Sequence, residues 1–142
     1  MNTIILNEKY EMQDDDIIGK GGFGSIHVGC ILPTKQKIAI KVDKQMKYLK
    51  KESKVYDMIN DGDLMAKKID YFEKSNKAYL VMPLYYKNAE QIFRENKYEY
   101  FNQKDILMIG IQMFQQLHYL HNKQILHLDI KPENMMYSNE SN

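Results

Sequence analysis

The chain has 142 residues, of which 44% are hydrophobic and 27% charged, and its net charge at neutral pH is +1. These values are typical of a soluble globular protein and exclude an extensively disordered chain. The balanced charge gives no reason to expect nucleic acid or an anionic membrane as a partner. Cys30 is the only cysteine, so an intramolecular disulfide bond is excluded, and no apolar run is long enough for a membrane helix. We therefore expect a soluble intracellular protein of the cytoplasm or nucleus.

The first half of the chain predicts three strands followed by one helix. Ile17-Ile18 precede a cluster of glycines, and apolar residues then alternate with polar or small ones over 26–30 and again over 38–42, with a turn signal at 33–35 between them. A period of two predicts strands. From Gln45 to Asn60 the apolar residues recur at helical spacing, which predicts a helix.

The second half predicts two more strands and then mainly helix. The strand candidates are Ala66–Phe72 and Lys77–Met82, and Pro83 marks a break after them. The longest amphipathic helix is predicted over Asp105–His121, and a short strand over 135–137. We expect an α+β fold with a five-stranded antiparallel sheet and one packed helix, followed by a mainly helical segment.

The first motif that carries chemistry is a glycine-rich segment, Gly19-Lys20-Gly21-Gly22-Phe23-Gly24. Dinucleotide-binding folds use the same spacing, but there the last glycine opens a helix, whereas here an alternating strand follows. A glycine-rich hairpin can lie over phosphates and donate backbone N–H groups, because no Cβ blocks the approach. Its alternative is an ordinary glycine-rich turn without function.

The second motif is a lysine between apolar residues in the third predicted strand, Ile38-Ala39-Ile40-Lys41. Burial of an unpaired ammonium group is costly, and Glu52 on the following helix is the expected carboxylate partner. A strand lysine that extends to solvent is the alternative. The small side chain of Ala39 leaves space for a flat ring, which that alternative does not explain.

The third motif is the polar segment 127–134, which reads His-Leu-Asp-Ile-Lys-Pro-Glu-Asn. Phosphoryl transfer requires a carboxylate that accepts the proton of the attacking hydroxyl, a cation near the moving phosphoryl group and an oxygen ligand for Mg²⁺. Asp129, Lys131 and Asn134 supply these three groups within one loop. The alternative, an ordinary polar loop, does not account for this combination.

The three motifs, in this order, resemble the signature set of eukaryotic-type protein kinases. Within that superfamily, residues 52–59 and 79–84 most resemble the casein kinase I and vaccinia-related kinase group. The resemblance covers about Tyr10 to Tyr137. It implies an N-lobe over about 10–83 and the start of a C-lobe over 84–142, as parts of one partial kinase domain. It also implies serine/threonine phosphoryl transfer with ATP and Mg²⁺, and a protein substrate or a partner kinase as partner.

The resemblance also implies roles for single residues. Met82 corresponds to the gatekeeper, and the carbonyl of Pro83 and the N–H of Tyr85 correspond to the groups that bond the adenine edge. Lys41, paired with Glu52, corresponds to the lysine that binds the α- and β-phosphates. The residues that would sandwich the adenine are Ile18, Ile26, Ala39 and Met136, and the glycines that would cover the phosphates are Gly19, Gly21 and Gly24. Asp129 and Lys131 would act in catalysis, and Asn134 would bind Mg²⁺.

Three departures from the family pattern are visible in the sequence. Leu128 stands where most kinases have arginine, and Lys41 and Glu52 are only eleven positions apart. No Asp-Phe-Gly, which would supply the second Mg²⁺ ligand, follows Asn134. We therefore expect weak binding of ATP or ADP and little or no kinase activity from these 142 residues alone. A catalytically inactive pseudokinase or a kinase mimic that regulates a partner is the alternative function.

Two histidines of the long predicted helix, His118 and His121, are three positions apart and could form half of a metal site. No other histidine or cysteine is placed to complete such a site, so ordinary histidines near a helix end are the preferred interpretation.

Overall fold

The computed structural model describes residues 2–22, 24–96 and 101–137. The chain divides into two compact units, one of Met1–Asn60 with Ala66–Leu84 and one of Asp61–Met65 with Tyr85–Asn142. The elements of the first unit are β1 (Thr3–Leu6), β2 (Tyr10–Gly21), β3 (Gly24–Ile31), β4 (Lys37–Asp43), α1 (Met46–Ile59), β5 (Asp70–Lys74) and β6 (Lys77–Pro83). Those of the second are β7 (Lys87–Asn88), α2 (Ala89–Glu95), α3 (Gln103–Asn122), a 3₁₀ turn (Pro132–Asn134) and β8 (Met136–Tyr137).

The six strands of the first unit form one antiparallel sheet in the order β1-β2-β3-β4-β6-β5. The predicted α+β fold is confirmed, and β2 to β6 correspond to the five expected strands. Three details differ from the prediction. β2 begins at Tyr10, seven residues before the predicted start at Ile17. An additional strand, β1, pairs with β2 over Tyr10–Gln13, and β5 begins at Asp70 instead of Ala66.

The additional strand β1 is joined to β2 by a tight turn. Asn7 and Glu8 adopt left-handed backbone conformations, with φ of 50° and 58°, and the N–H of Lys9 donates to the carbonyl of Leu6 at 3.1 Å. Asparagine tolerates this conformation better than most residues, which makes the turn accessible to this sequence. Leu6, the last residue of β1, is buried in the core.

The sheet curls so that a strand near one edge contacts the strand at the other edge. The ring of Tyr10 in β2 stacks on Phe72 in β5 with centroids 6.0 Å apart, and Phe72 stacks on Tyr79 at 5.0 Å. The hydroxyl of Tyr10 donates to Oδ2 of Asp70 at 2.8 Å. The curl encloses an apolar core on one face of the sheet, made of Leu6, Tyr10, Met12, Ile38, Ile40, Val42, Tyr79 and Val81.

The opposite face of the sheet packs against α1. Leu49 of this helix is 1% exposed and packs with Ala78 and Leu80 of β6. The helix has no side-chain cap at its N-terminus, no acidic residue in its first turn and no basic residue in its last. Its stability therefore depends on packing with the sheet more than on local signals.

In the second unit, α2 and α3 both begin with asparagine caps. The Asn88 carboxamide accepts the N–H of Gln91 at 2.8 Å, and the Gln91 carboxamide accepts the N–H of Asn88 at 2.9 Å, which completes a capping box. Asn102 accepts the N–H of Asp105 at 2.9 Å at the start of α3. The predicted helices over Gln45–Asn60 and Asp105–His121 are thus present, within two residues at each end.

The apolar face predicted for α3 is only partly buried in the structure. Leu120 is 3% exposed, whereas Ile106 is 55% exposed. Near its C-terminal end, α3 is tied to the segment before Ala66, because Tyr119 and Lys123 both donate to the carboxylate of Asp61. Within the described residues, no helix combines the length and the apolarity needed to cross a bilayer.

Candidate active site

The glycine-rich segment forms the connection between β2 and β3, as the strand pattern predicts; Phe23 lies outside the described residues. Its glycines have different surroundings. A Cβ added to Gly24 would lie 2.0 Å from the carbonyl oxygen of Val42, so this glycine lets β3 approach β4. A Cβ added to Gly21 or Gly22 would meet no described atom within 4 Å. The backbone at these two positions is therefore open on the side where a side chain would otherwise stand.

Lys41 and Glu52 form an ion pair in the structure. The Lys41 ammonium lies 2.7 Å from Oε2 and 2.9 Å from Oε1 of Glu52, with the two side chains 28% and 35% exposed. This is the pairing expected from the sequence, and it forms across the short connection between β4 and α1. The pair brings a cation, held in place by a carboxylate, to the α1 side of the sheet.

Four of the residues that the family resemblance assigns to adenine binding lie in the first unit. Ala39 pairs with Met82 across β4 and β6, and Ile26 pairs with Lys41 across β3 and β4. Because directly opposite residues share a face of a sheet, Ile26, Ala39 and Met82 lie on one face, together with Lys41. Ala39 is 7% exposed, whereas Ile18 in β2 is 48% exposed.

Gly19 lies beside this face, whereas Pro83 lies on the opposite face of the sheet. Gly19 pairs with Ile26, and a Cβ on Gly19 would touch the Ile26 side chain at 3.4 Å. Pro83 ends β6 and pairs with Ile38. Tyr85 and Met136, the other two residues assigned to adenine binding, belong to the second unit.

The catalytic-loop candidates Asp129, Lys131 and Asn134 lie together in the second unit. The Lys131 ammonium is 3.0 Å from Oδ2 of Asp129. The Asn134 amide nitrogen donates to the carbonyl oxygen of Asp129 at 2.8 Å and to its Oδ2 at 2.9 Å. The Lys131 ammonium, followed by the Asn134 amide, lowers the pKa of Asp129 from its ordinary value. All three side chains are exposed, so they form a polar cluster at the surface of this unit.

Short backbone contacts hold this loop in place. The N–H of Asn134 donates to the carbonyl of Lys131 at 2.9 Å within the 3₁₀ turn. β8 then pairs with β7, and the N–H of Ala89 donates to the carbonyl of Met135 at 2.9 Å, which connects the loop to the start of α2. Leu128 has a positive φ of 62° and is 87% exposed. The leucine in place of the usual arginine therefore points to solvent in this structure.

The chemistry of the loop suits a hard cation. Asn134 uses its amide nitrogen on Asp129, and its amide oxygen accepts no hydrogen bond from the residues described, so it remains able to bind Mg²⁺. Asp129 adds a carboxylate beside it. The described residues contain no group of three or more histidine, cysteine, aspartate or glutamate side chains that could hold a metal alone. His118 instead contacts the Asn122 amide through Nε2 at 3.1 Å.

Comparison with known proteins identifies the family. Residues 12–142 match the family model for the protein kinase domain. The calcium-dependent protein kinase 5 of Plasmodium falciparum is 32% identical over 142 residues, which cover 96% of this chain and 24% of that protein. A probable casein kinase I homologue of Encephalitozoon cuniculi is 34% identical over 143 residues, covering 96% of this chain and 45% of the homologue.

A solved structure supports the fold. The crystal structure of a kinase domain superposes with a TM-score of 0.85 at 24% identity, covering 96% of this chain and 42% of that one. The chain thus spans a quarter to less than half of the length of these proteins. The casein kinase I homologue agrees with the group resemblance, and a calcium-dependent kinase matches at nearly the same identity. The family model extends over most of the chain, and the chain therefore belongs to the protein kinase family.

Proposed function

We propose that this chain carries the ATP-binding sheet and the catalytic loop of a serine/threonine protein kinase. The reaction is transfer of the γ-phosphoryl group of ATP to a hydroxyl group of a protein substrate. The observation that carries the proposal is the ion pair between Lys41 and Glu52, at 2.7 Å on a half-exposed face of the sheet. A structural lysine at a strand centre could extend to solvent, whereas this one is fixed against the helix that packs on the sheet.

In this proposal the first unit binds the nucleotide. Backbone N–H groups of the open glycines Gly21 and Gly22 contact the phosphates, because no side chain blocks them. Lys41, oriented by Glu52, neutralises negative charge on the α- and β-phosphate oxygens. The face that carries Ile26, Ala39 and Met82 supplies apolar contacts to the adenine ring, together with Ile18.

The catalytic loop acts on the substrate hydroxyl. Asp129 accepts a hydrogen bond from this hydroxyl and takes its proton as the oxygen bonds to the γ-phosphorus, while the bond between the γ-phosphorus and the β-phosphate oxygen breaks and ADP leaves. Because the pKa of Asp129 is lowered by Lys131 and Asn134, the carboxylate is ionised at neutral pH but is a weak base. Its main contribution is therefore orientation, with proton transfer late in the reaction. Lys131 stabilises the negative charge on the moving phosphoryl group.

Asn134 would bind Mg²⁺ through its amide oxygen. Mg²⁺, when bound, would supply positive charge that offsets the negative charge of the phosphate groups. The chain's own contribution is the fixed position of the Asn134 amide, which the two hydrogen bonds to Asp129 provide.

Nucleotide binding is tested by titration of a fluorescent ATP analogue with Mg²⁺ against wild type, Lys41→Met and Lys37→Met. Lys37 lies at the exposed start of the same strand. Lys37→Met therefore removes one positive charge, as Lys41→Met does, but leaves the contact of Lys41 with Glu52 unchanged. We expect Lys41→Met to weaken binding about tenfold or more, as loss of a charge-assisted phosphate contact does, and Lys37→Met to bind like wild type. Equal affinity in all three proteins would contradict a phosphate contact of Lys41.

Transfer is tested with radiolabelled ATP and casein on wild type, Asp129→Asn and Asp63→Asn. Asp63 is an exposed aspartate of the same unit and serves as the charge-matched control. Incorporation that Asp129→Asn abolishes and Asp63→Asn preserves supports a kinase. Nucleotide binding without incorporation in any variant is the outcome expected of these 142 residues alone, both for an incomplete kinase domain and for a pseudokinase that regulates a partner.

A further inference from the structure

The direction of the Glu52 side chain depends on the rotation of α1 about its own axis. The ends of α1 do little to fix this rotation, because the helix has no side-chain N-cap and no charge that complements its dipole at either end. Leu49 packs in the apolar cluster with Ala78 and Leu80, but apolar contacts are not directional. The exposed pair of Lys50 with Glu73, at 3.4 Å, adds little orientation.

Lys68 makes several directional contacts with one side of α1. Its ammonium donates to Oγ of Ser53 at 3.1 Å and to the carbonyl oxygen of Ser53 at 3.4 Å, and it forms an ion pair with Asp57. Ser53 and Asp57 are one helical turn apart, on one side of the helix. The Lys68 side chain is 15% exposed and that of Asp57 is 60% exposed, so the contact with Ser53 is sheltered from water whereas the ion pair with Asp57 is open to it. Ser53 is 4% exposed and directly follows Glu52.

We propose that Lys68 is a positioning residue, which holds α1 at the rotation where Glu52 meets Lys41. This inference rests on the proposed function, in which the Lys41–Glu52 pair orients the nucleotide phosphates. Removal of the Lys68 ammonium leaves the buried hydroxyl of Ser53 without this donor and releases Asp57. The helix then turns to rehydrate these groups, and Glu52 leaves Lys41 although neither residue has been changed.

The position of Glu52 is measured without nucleotide by NMR of the Lys41 ammonium group in ¹⁵N-labelled protein. A hydrogen-bonded ammonium gives a distinct signal, which Lys41→Arg assigns by its absence and Glu52→Gln moves to the position of solvated lysines. We expect Lys68→Met to have the same effect as Glu52→Gln, and Lys68→Arg to retain the wild-type signal. The matched control is Lys67→Met, because the adjacent Lys67 contacts the carbonyl of Asn60 at the end of α1, at 2.7 Å, instead of Ser53.

The consequence for nucleotide binding is measured with the fluorescent ATP analogue in a double-mutant cycle. We expect Lys68→Met to weaken affinity about tenfold in the wild-type background, in line with other residues that orient a binding group. In the Glu52→Gln background the same change should alter affinity by less than about twofold, since the two residues act through one contact. A residue that only stabilises the fold would lower the melting temperature equally in both backgrounds and would show no such difference in affinity.

Two results separate the failure of this inference from the failure of the proposed function. If the Lys41 signal is unchanged in Lys68→Met, Lys68 does not position Glu52, whatever the nucleotide data show. If wild type does not bind the ATP analogue, the proposed function is wrong, while the NMR comparison still decides whether Lys68 sets the rotation of α1.

Discussion

Replacement of Gly24 by alanine should destabilise the first unit strongly, although the glycine belongs to a motif usually explained by nucleotide binding. The added Cβ would lie 2.0 Å from the carbonyl oxygen of Val42 and 3.2 Å from Cα of Asp43. An ordinary carbon–oxygen contact is roughly 3.3 Å, so β3 and β4 must separate by about 1 Å. Their ladder joins Ser25 to Val42 at this point. Overpacking costs about 1–3 kcal/mol, and each weakened ladder hydrogen bond about 1 kcal/mol more. We expect a loss of about 3 kcal/mol.

Gly21→Ala is the matched control, because a Cβ at this position meets no described atom within 4 Å and its φ is not positive. Urea unfolding followed by tyrosine fluorescence should show a change of less than about 0.5 kcal/mol for Gly21→Ala. The melting temperature of Gly24→Ala should fall by at least about 10 °C. In contrast, Gly21→Ala should weaken binding of the ATP analogue, because its methyl group enters the space proposed for phosphate. Equal stability of the two variants would refute the argument from strand approach.

Three further predictions concern the stability of the two units. Tyr10→Phe removes the hydrogen bond to Asp70 and should cost about 1 kcal/mol in urea unfolding. Burial, with the Asp70 hydrogen bond, raises the pKa of Tyr10 to about 12. Because the folded protein favours the neutral phenol, the free energy of unfolding of the wild type should fall between about pH 10 and 12. This fall should be smaller in Tyr10→Phe. Ile40→Ala, at a side chain with 0% exposure, should cost about 3 kcal/mol, whereas Val55→Ala on the exposed face of α1 should cost less than about 1 kcal/mol. Asn88→Ala removes the capping box of α2 and should cost about 1 kcal/mol, which amide hydrogen exchange within Ala89–Glu95 would detect.

The strands and the ion pair were predictable because each has a local signal. Alternation around Ile38, Ile40 and Val42 identifies a strand with one face in the core. Lys41 lies on the other face of this strand, where its ammonium group requires a carboxylate partner. Glu52 is the acidic residue that the next helix brings within reach. The connection from β4 to α1 is short, but it did not prevent this pairing. The N–H of Gln45 donates to the Asp43 carboxylate at 2.6 Å, and this hydrogen bond stabilises the turn that leads directly into α1.

Three features were not predictable because they depend on tertiary contacts. β1 has four residues, too few for alternation to stand out, and its place is set by pairing with β2. The start of β5 is delayed to Asp70 because Lys67 and Lys68 extend to α1 before the ladder begins. Gly24 carries a motif signal for nucleotide binding, and only the distance to Val42 shows that strand packing also requires a glycine there.

The roles of the candidate site residues remain predictions. The sequence places Asp129, Lys131 and Asn134 within six positions, so their proximity follows from the short loop, and the structure adds the direction of their hydrogen bonds. A role for Lys68 had no sequence signal, because it is one lysine among many and its contacts lie fifteen and eleven positions earlier in the chain.

The limited length of β1 has a consequence for self-association of the protein. Among the described residues, β1 pairs with β2 only as far as Gln13, and beyond Asp14 no strand covers that edge of β2. An uncovered edge offers backbone donors and acceptors to a strand of another molecule. Asp14, Asp15 and Asp16 place three exposed carboxylates at the start of this edge, and like charges oppose the pairing of this edge with the same edge of a second copy. Replacement of all three by asparagine should therefore increase the formation of intermolecular sheets at high concentration.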